Sequence, residues 1–139
     1  MKTISFFKSG SLMKISLIFL LLLGQCVMAQ VAIQPLNSAK FYVSLYVGKE
    51  HDSNQTLSFN EGKMTFSEAE KYGFVADEYK WKQKNDSTLT FLCVVKSPKN
   101  GVMTWEGKVI HDKMEGTCIW TRKVENPVNY TFKGSRLKE

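Results

Sequence analysis

Trp105-Glu106-Gly107-Lys108-Val109-Ile110-His111-Asp112-Lys113-Met114-Glu115-Gly116-Thr117-Cys118-Ile119-Trp120 has the pattern of a β-hairpin with one dry face. If Asp112-Lys113 is a two-residue turn, Trp105 falls opposite Trp120, Gly107 opposite Cys118 and Val109 opposite Gly116. The side-chain period of two then places these six residues on one face. Glu106, Lys108, Glu115, Thr117 and Thr121 fall on the other. An apolar face with glycine gaps backed by a charged face is the inside and outside of a sheet. Glycine within a strand costs stability and marks a bend, a bulge or a close approach. The gaps near the tryptophans therefore hold either neighbouring aromatic rings or a ligand, and neighbouring rings are the expectation.

Working outward, almost every segment after Ala39 reads as a short strand between turn signals. Phe41 to Val47 alternates apolar and polar positions, and Gly48 to Gln55 reads as a polar loop. Thr56 to Asn60 and Lys63 to Phe66 flank Asn60-Glu61-Gly62, a three-residue hairpin signal. Ser67-Glu68-Ala69-Glu70 has capping-box form and Gly73 suits a C-terminal cap, which predicts one short helical turn over 68–72. Asp77 to Gln83 places Tyr79 and Trp81 on one face. Strands follow over 88–96, 102–110, 114–123 and 129–137. No helix is long enough to cover a sheet, so the sheet must close on itself. The expected fold is all-β, a small antiparallel meander barrel of about eight strands with one short helical turn.

Residues 13–29 carry a different signal. Lys14 supplies a positive n-region, Ile15 to Leu23 an apolar h-region, and Val27-Met28-Ala29 a small-residue cleavage pattern. The apolar run is shorter than the ~20 residues of a spanning helix. Residues 1–29 are therefore expected to be a removed signal peptide, with an N-terminal lead over 30–40 and a single barrel domain over 41–139. Two starts, Met1 and Met13, fit this reading equally. Cys26 lies where a lipoprotein signal would place its lipidated cysteine, but Gln25 before it is not the small residue such signals need. The expected location is periplasmic or secreted, without lipid and without a membrane span.

Loss of Lys2, Lys8 and Lys14 takes the formal charge from +6 to +3. That modest surplus argues for solubility and against a nucleic-acid partner. Six Phe, five Tyr and three Trp remain after Ala29, ample for one core.

The run Trp105-x-Gly107 … Gly116-x-x-x-Trp120 … Pro127-x-x-Tyr130-x-Phe132-x-Gly134-x-x-Leu137, preceded by Gly73-Phe74, Tyr79 and Phe91, resembles a group of uncharacterised exported bacterial proteins with lipocalin-like small β-barrels. The resemblance covers roughly residues 57 to 137. It implies the barrel fold and no particular chemistry. Similar chains often hold a cysteine in the loop before Gly73; here Ser67 to Tyr72 has none, which removes the ground for a redox role there.

Catalytic patterns are sparse. His51 and His111 are the only histidines and read as solvated loop residues, so neither a metal site nor any other cofactor is expected. Cys93 and Cys118 sit in apolar strand sequence, where a thiol is inert. A meander would hold them two strands apart, ~9.6 Å, beyond the ~7 Å Cα limit of a disulfide. Lys80, Lys82 and Lys84 form an outward stripe of the kind that blunts sheet edges.

The leading expectation is an exported, non-enzymatic binding or accessory module, with a small apolar or amphiphilic ligand inside the barrel. Tyr79, Trp81, Trp105, Trp120 and Tyr130 are its expected contacts. The alternative is a structural or protein-interaction domain with a fully packed barrel. An empty apolar cavity above ~300 Å³ would mark the first and a filled core the second. Mass spectrometry of protein recovered from the cell envelope should find Gln30 as the first residue and no acyl group; an acylated Cys26 at the N-terminus would refute this.

Overall fold

The computed structural model describes Gln34–Glu139, and the proposed export segment with Cys26 lies outside the described residues. Eight strands follow in order: β1 (Lys40–Val47), β2 (Glu50–Asn60), β3 (Lys63–Phe66), β4 (Asp77–Gln83), β5 (Thr88–Ser97), β6 (Gly101–Ile110), β7 (Lys113–Thr121) and β8 (Val128–Arg136). Each pairs antiparallel with its neighbour in sequence, and β1 pairs with β8, so the sheet is a closed barrel. Among the described residues no helix is long and apolar enough to cross a membrane.

The central hairpin keeps its faces and changes its register. Ile110 pairs with Lys113, so the turn is His111-Asp112 and not Asp112-Lys113. His111 takes a positive φ of 54°, a conformation His, Asn and Asp adopt more readily than most residues. Asp112 is also tied down, its carbonyl accepting from the Arg136 backbone N–H at 2.7 Å. Moving the turn by one residue slides the register by two, which leaves every side chain on its expected face. Trp105 therefore lies opposite Cys118, Gly107 opposite Gly116, and Trp120 opposite Met103.

That glycine pairing controls the interior. A Cβ on Gly116 would strike the Glu106 carbonyl oxygen and the Gly107 Cα, and one on Gly107 would lie 2.8 Å from the Phe91 ring and 3.0 Å from the Phe132 ring. Neighbouring aromatics fill the gaps, as expected, and they are the rings of Phe91 and Phe132. Trp105 then packs beside Phe132 and against Phe66, with both ring-centroid distances at 5.5 Å. Below it, Phe59 meets Phe41, Tyr79 and Phe91 edge-on.

Several local expectations change. Residues Glu50 to Gln55, read as loop, extend β2, because Gly48-Lys49 alone turns the chain and Val47 pairs with Glu50. His51 consequently lies on a strand. Glu61-Gly62 forms a two-residue turn with φ of 51° and 77°, shorter than expected. The helical turn is a 3₁₀ turn over Glu70–Tyr72, closed by Gly73 at φ 73°, but it has no side-chain cap. Ser67 is engaged elsewhere: its hydroxyl donates to Gln55 Oε1 at 2.8 Å and accepts from the Thr56 N–H at 3.0 Å.

The N-terminal lead also belongs to the barrel. Leu36 and Ala39 are buried in the core, and Asn37 Oδ1 accepts from the Glu61 N–H at 2.8 Å. This segment closes the end of the barrel at the β2–β3 turn, the base. The opposite end, where β1 meets β2 and β5 meets β6, is the mouth. Because Trp105 is fully buried and central, Trp105→Ala should cost about 3–5 kcal/mol in denaturant unfolding. Trp120, only partly buried, should cost less when truncated; equal losses would contradict this placement.

Candidate functional site at the barrel mouth

A β-bulge builds one wall of the mouth. On β1, Leu45 pairs with Ser53 and Tyr46 with His51, so Asp52 is the extra residue on β2. A bulge bends its strand and re-aims side chains. Asp52 and Ser53 both face the mouth, followed by Gln55 one step further in.

The opposite wall is the segment after β3. Gln55, almost wholly buried, organises it: Gln55 Nε2 donates to Glu68 Oε2 at 2.9 Å, and Gln55 Oε1 accepts from the Glu68 N–H at 3.2 Å. Further along, Ser97 Oγ and Asn100 Nδ2 both donate to the Tyr72 carbonyl at 2.7 Å. The Trp120 indole N–H donates to the Asn100 carbonyl at 2.6 Å. The 3₁₀ turn, the β5–β6 turn and the end of β7 are thus one hydrogen-bonded unit. It brings Tyr72 and Phe74 edge-on to the Trp120 ring, at 5.9 and 6.3 Å.

These walls enclose a cavity of about 170 Å³, lined by Leu45, Asp52, Ser53, Gln55, Phe66, Glu68, Tyr72, Phe74, Met103, Trp105, Trp120 and Tyr130. Trp105 and Phe66 belong to the packed layer already described, so the cavity does not continue down the axis. It is smaller than the ~300–1,000 Å³ of sites for drug-sized ligands, yet a 150 Å³ cavity is known to hold a benzene ring. A wider depression, about 890 Å³, lies on the outer wall between Tyr46, Lys108, Glu115 and Lys133. It is a shallow saddle where Gly107 and Gly116 draw the strands together, and it encloses nothing.

Of the five expected contacts, the structure brings three together. Trp105, Trp120 and Tyr130 line the cavity, whereas Tyr79 and Trp81 do not. Tyr79 is buried at the base against Phe59, 5.1 Å between rings. Trp81 is 41 % exposed. It has the parity of Tyr79, but β3 pairs with β4 only at Asp77 and Glu78, so β4 runs on past its neighbour and carries Trp81 out of the interior. Lys80 and Lys82 flank it along that unpaired stretch, consistent with a role in protecting an edge.

Acids and bases both surround the mouth. Glu68 meets Lys71 at 3.9 Å, an exposed pair worth little. Among the described residues the Asp52 carboxylate has no hydrogen-bond or ion-pair partner. Burial, followed by the charge of Asp52, pushes the Tyr130 hydroxyl above the ordinary tyrosine range, so it stays a neutral donor at physiological pH. Arg122 lies over the Trp120 ring, 4.3 Å from its centroid, and pairs with Glu125.

The thiols are structural. Trp105 pairs with Cys93 on one side and Cys118 on the other, so a whole strand separates them. Both are free and buried. Burial, with the charge of Asp77, pushes Cys93 up to about 12, and burial raises Cys118 as well. His51 contacts Asn54 at 3.0 Å, and among the described residues no group of three or more His, Cys, Asp or Glu could hold a metal ion. In protein starting at Gln30, a thiol reagent at pH 8 should label neither cysteine while the chain is folded and two per chain once it is unfolded. Labelling of the native protein, or none after unfolding, would contradict this. Among known proteins, no family model, no curated protein and no solved structure matches this chain.

Proposed function

We propose that this chain is an exported, non-enzymatic, lipocalin-like binding module that takes a small ligand at the mouth of its barrel. The observation that carries the reading is the 170 Å³ cavity, where a bulge and a 3₁₀ turn converge polar groups on an aromatic pocket. Polar groups converging beside aromatic side chains in a concavity are a usual form of ligand site, and here Asp52, Ser53, Gln55 and Glu68 share the lining with Phe66, Phe74, Trp105 and Trp120. Its volume suits roughly one six-membered ring. A long acyl chain would need the barrel axis, which Trp105, Phe132 and Phe59 occupy. The export half of the proposal rests on residues 13–29.

A second reading, a packed barrel serving as a structural or protein-interaction domain, is favoured by the same filled axis and by a cavity well below ~300 Å³. Ligand-observed NMR with a panel of single-ring neutral, cationic and anionic compounds separates the two. Saturable binding is expected for some members, and Ser53→Phe, which fills the mouth, should abolish it while circular dichroism stays unchanged. Ser53→Leu gives a milder block should the larger ring perturb folding. A panel with no member sensitive to either substitution would leave the packed-barrel reading standing.

A further inference from the structure

Resting on the ligand-binding reading above, we infer that the mouth cavity selects a small organic cation that also carries a hydrogen-bond acceptor. Three independent features converge on that chemistry. The first is charge. Asp52 is placed at the rim by the bulge and is left without a partner among the described residues, whereas Glu68 is held by Gln55 and Lys71. Arg122, whose charge reaches Tyr130, is paired with Glu125 and lies over the Trp120 ring, although its Nε has no partner among the described residues. The rim therefore keeps one uncompensated negative charge, which repels an anion and is of no use to a neutral ring.

The second feature is the lining. Tyr72, Phe74, Trp120 and Tyr130 present aromatic side chains to the cavity beside that carboxylate. Aromatic faces attract cations through the ring quadrupole, and cages of this kind are how quaternary ammonium groups are recognised. Arg122 already lies over a face of Trp120, which leaves Tyr72, Phe74 and Tyr130 as the rings for a ligand cation.

The third feature lies deeper. The Trp105 indole nitrogen is wholly buried and, among the described residues, has no hydrogen-bond partner; Trp105 borders the cavity, so a ligand acceptor reaches that nitrogen only where the side chains over it give way. An unpaired buried donor costs free energy, and an acceptor on the ligand would relieve that cost. A cationic head held between Asp52 and the aromatic rings, with an acceptor reaching Trp105, satisfies all three demands.

The test compares choline with 3,3-dimethylbutan-1-ol, its neutral carbon isostere, by titration followed in ¹⁵N-edited NMR. Choline should bind saturably, at least tenfold more tightly than the isostere, and the Trp105 indole resonance should shift. Asp52→Asn should reduce that preference severalfold without changing the spectrum of the free protein elsewhere. Equal affinity for the two compounds would overturn the cation selectivity and leave the small-ligand reading intact. Choline binding without movement of the Trp105 resonance would overturn the acceptor contact. Failure of both compounds would overturn this inference, while the single-ring panel and Ser53→Phe decide the broader reading separately.

Discussion

The barrel depends on one contact, the Phe132 ring lying over the backbone where Gly107 faces Gly116. Eight strands enclose a space just wide enough for side chains to fill or for one small ligand. Which outcome results is set by whether a large ring can reach the axis. With any Cβ at Gly116 the neighbouring strand could not approach, and the tip of the Phe132 ring could not reach the pair. With glycine on both strands, Phe132 reaches inward and supports Trp105, which in turn supports Phe66. The layer so formed divides a dry base from an open mouth.

Period-two alternation alone revealed most of this. It put Trp105, Gly107, Val109, Gly116, Cys118 and Trp120 on one face, and they share that face although the hairpin register is two residues from the expected one. A two-residue slip is invisible to face assignment. Only the local geometry of His111-Asp112 distinguishes the two turns, and neither pair carries the glycine that usually makes such a turn legible. Parity also failed to locate Trp81, because alternation states which way a side chain points and not whether a neighbouring strand extends far enough to cover it.

The polar half of the site was hidden for a different reason. Glu50 to Gln55 is an unbroken run of polar residues without the β-branched or large apolar aromatic content that marks a strand. It is held in the sheet by pairing with β1, a tertiary effect that no local propensity encodes. The bulge at Asp52 breaks alternation where the side chains turn to line the mouth cavity, so a strand template fits least well there. Ser67-x-x-Glu70 misled in a complementary way: the motif suits a helix cap, but a buried glutamine competes for the same hydroxyl. Satisfying Gln55 inside the barrel outweighs capping a single exposed turn, because an unpaired buried amide costs more than a lost cap at a helix end already open to water.

The two ends of the barrel consequently follow different rules. The base is closed mainly by apolar side chains, Leu36, Phe59 and Tyr79 among them, with Asn37 tying the lead to the β2–β3 turn. The mouth is shaped by hydrogen bonds from Gln55, Ser97, Asn100 and Trp120 to backbone and side-chain groups of short, irregular segments. Directional bonds fix distances that packing leaves adjustable, and they hold the 3₁₀ turn away from the bulge by the width of a small ring. The cavity lies between these bonded segments, with Phe74 and Leu45 already buried in its walls and Trp120 packed against them. The polar residues of the mouth thus do more than line the space: they tie together the segments that bound it.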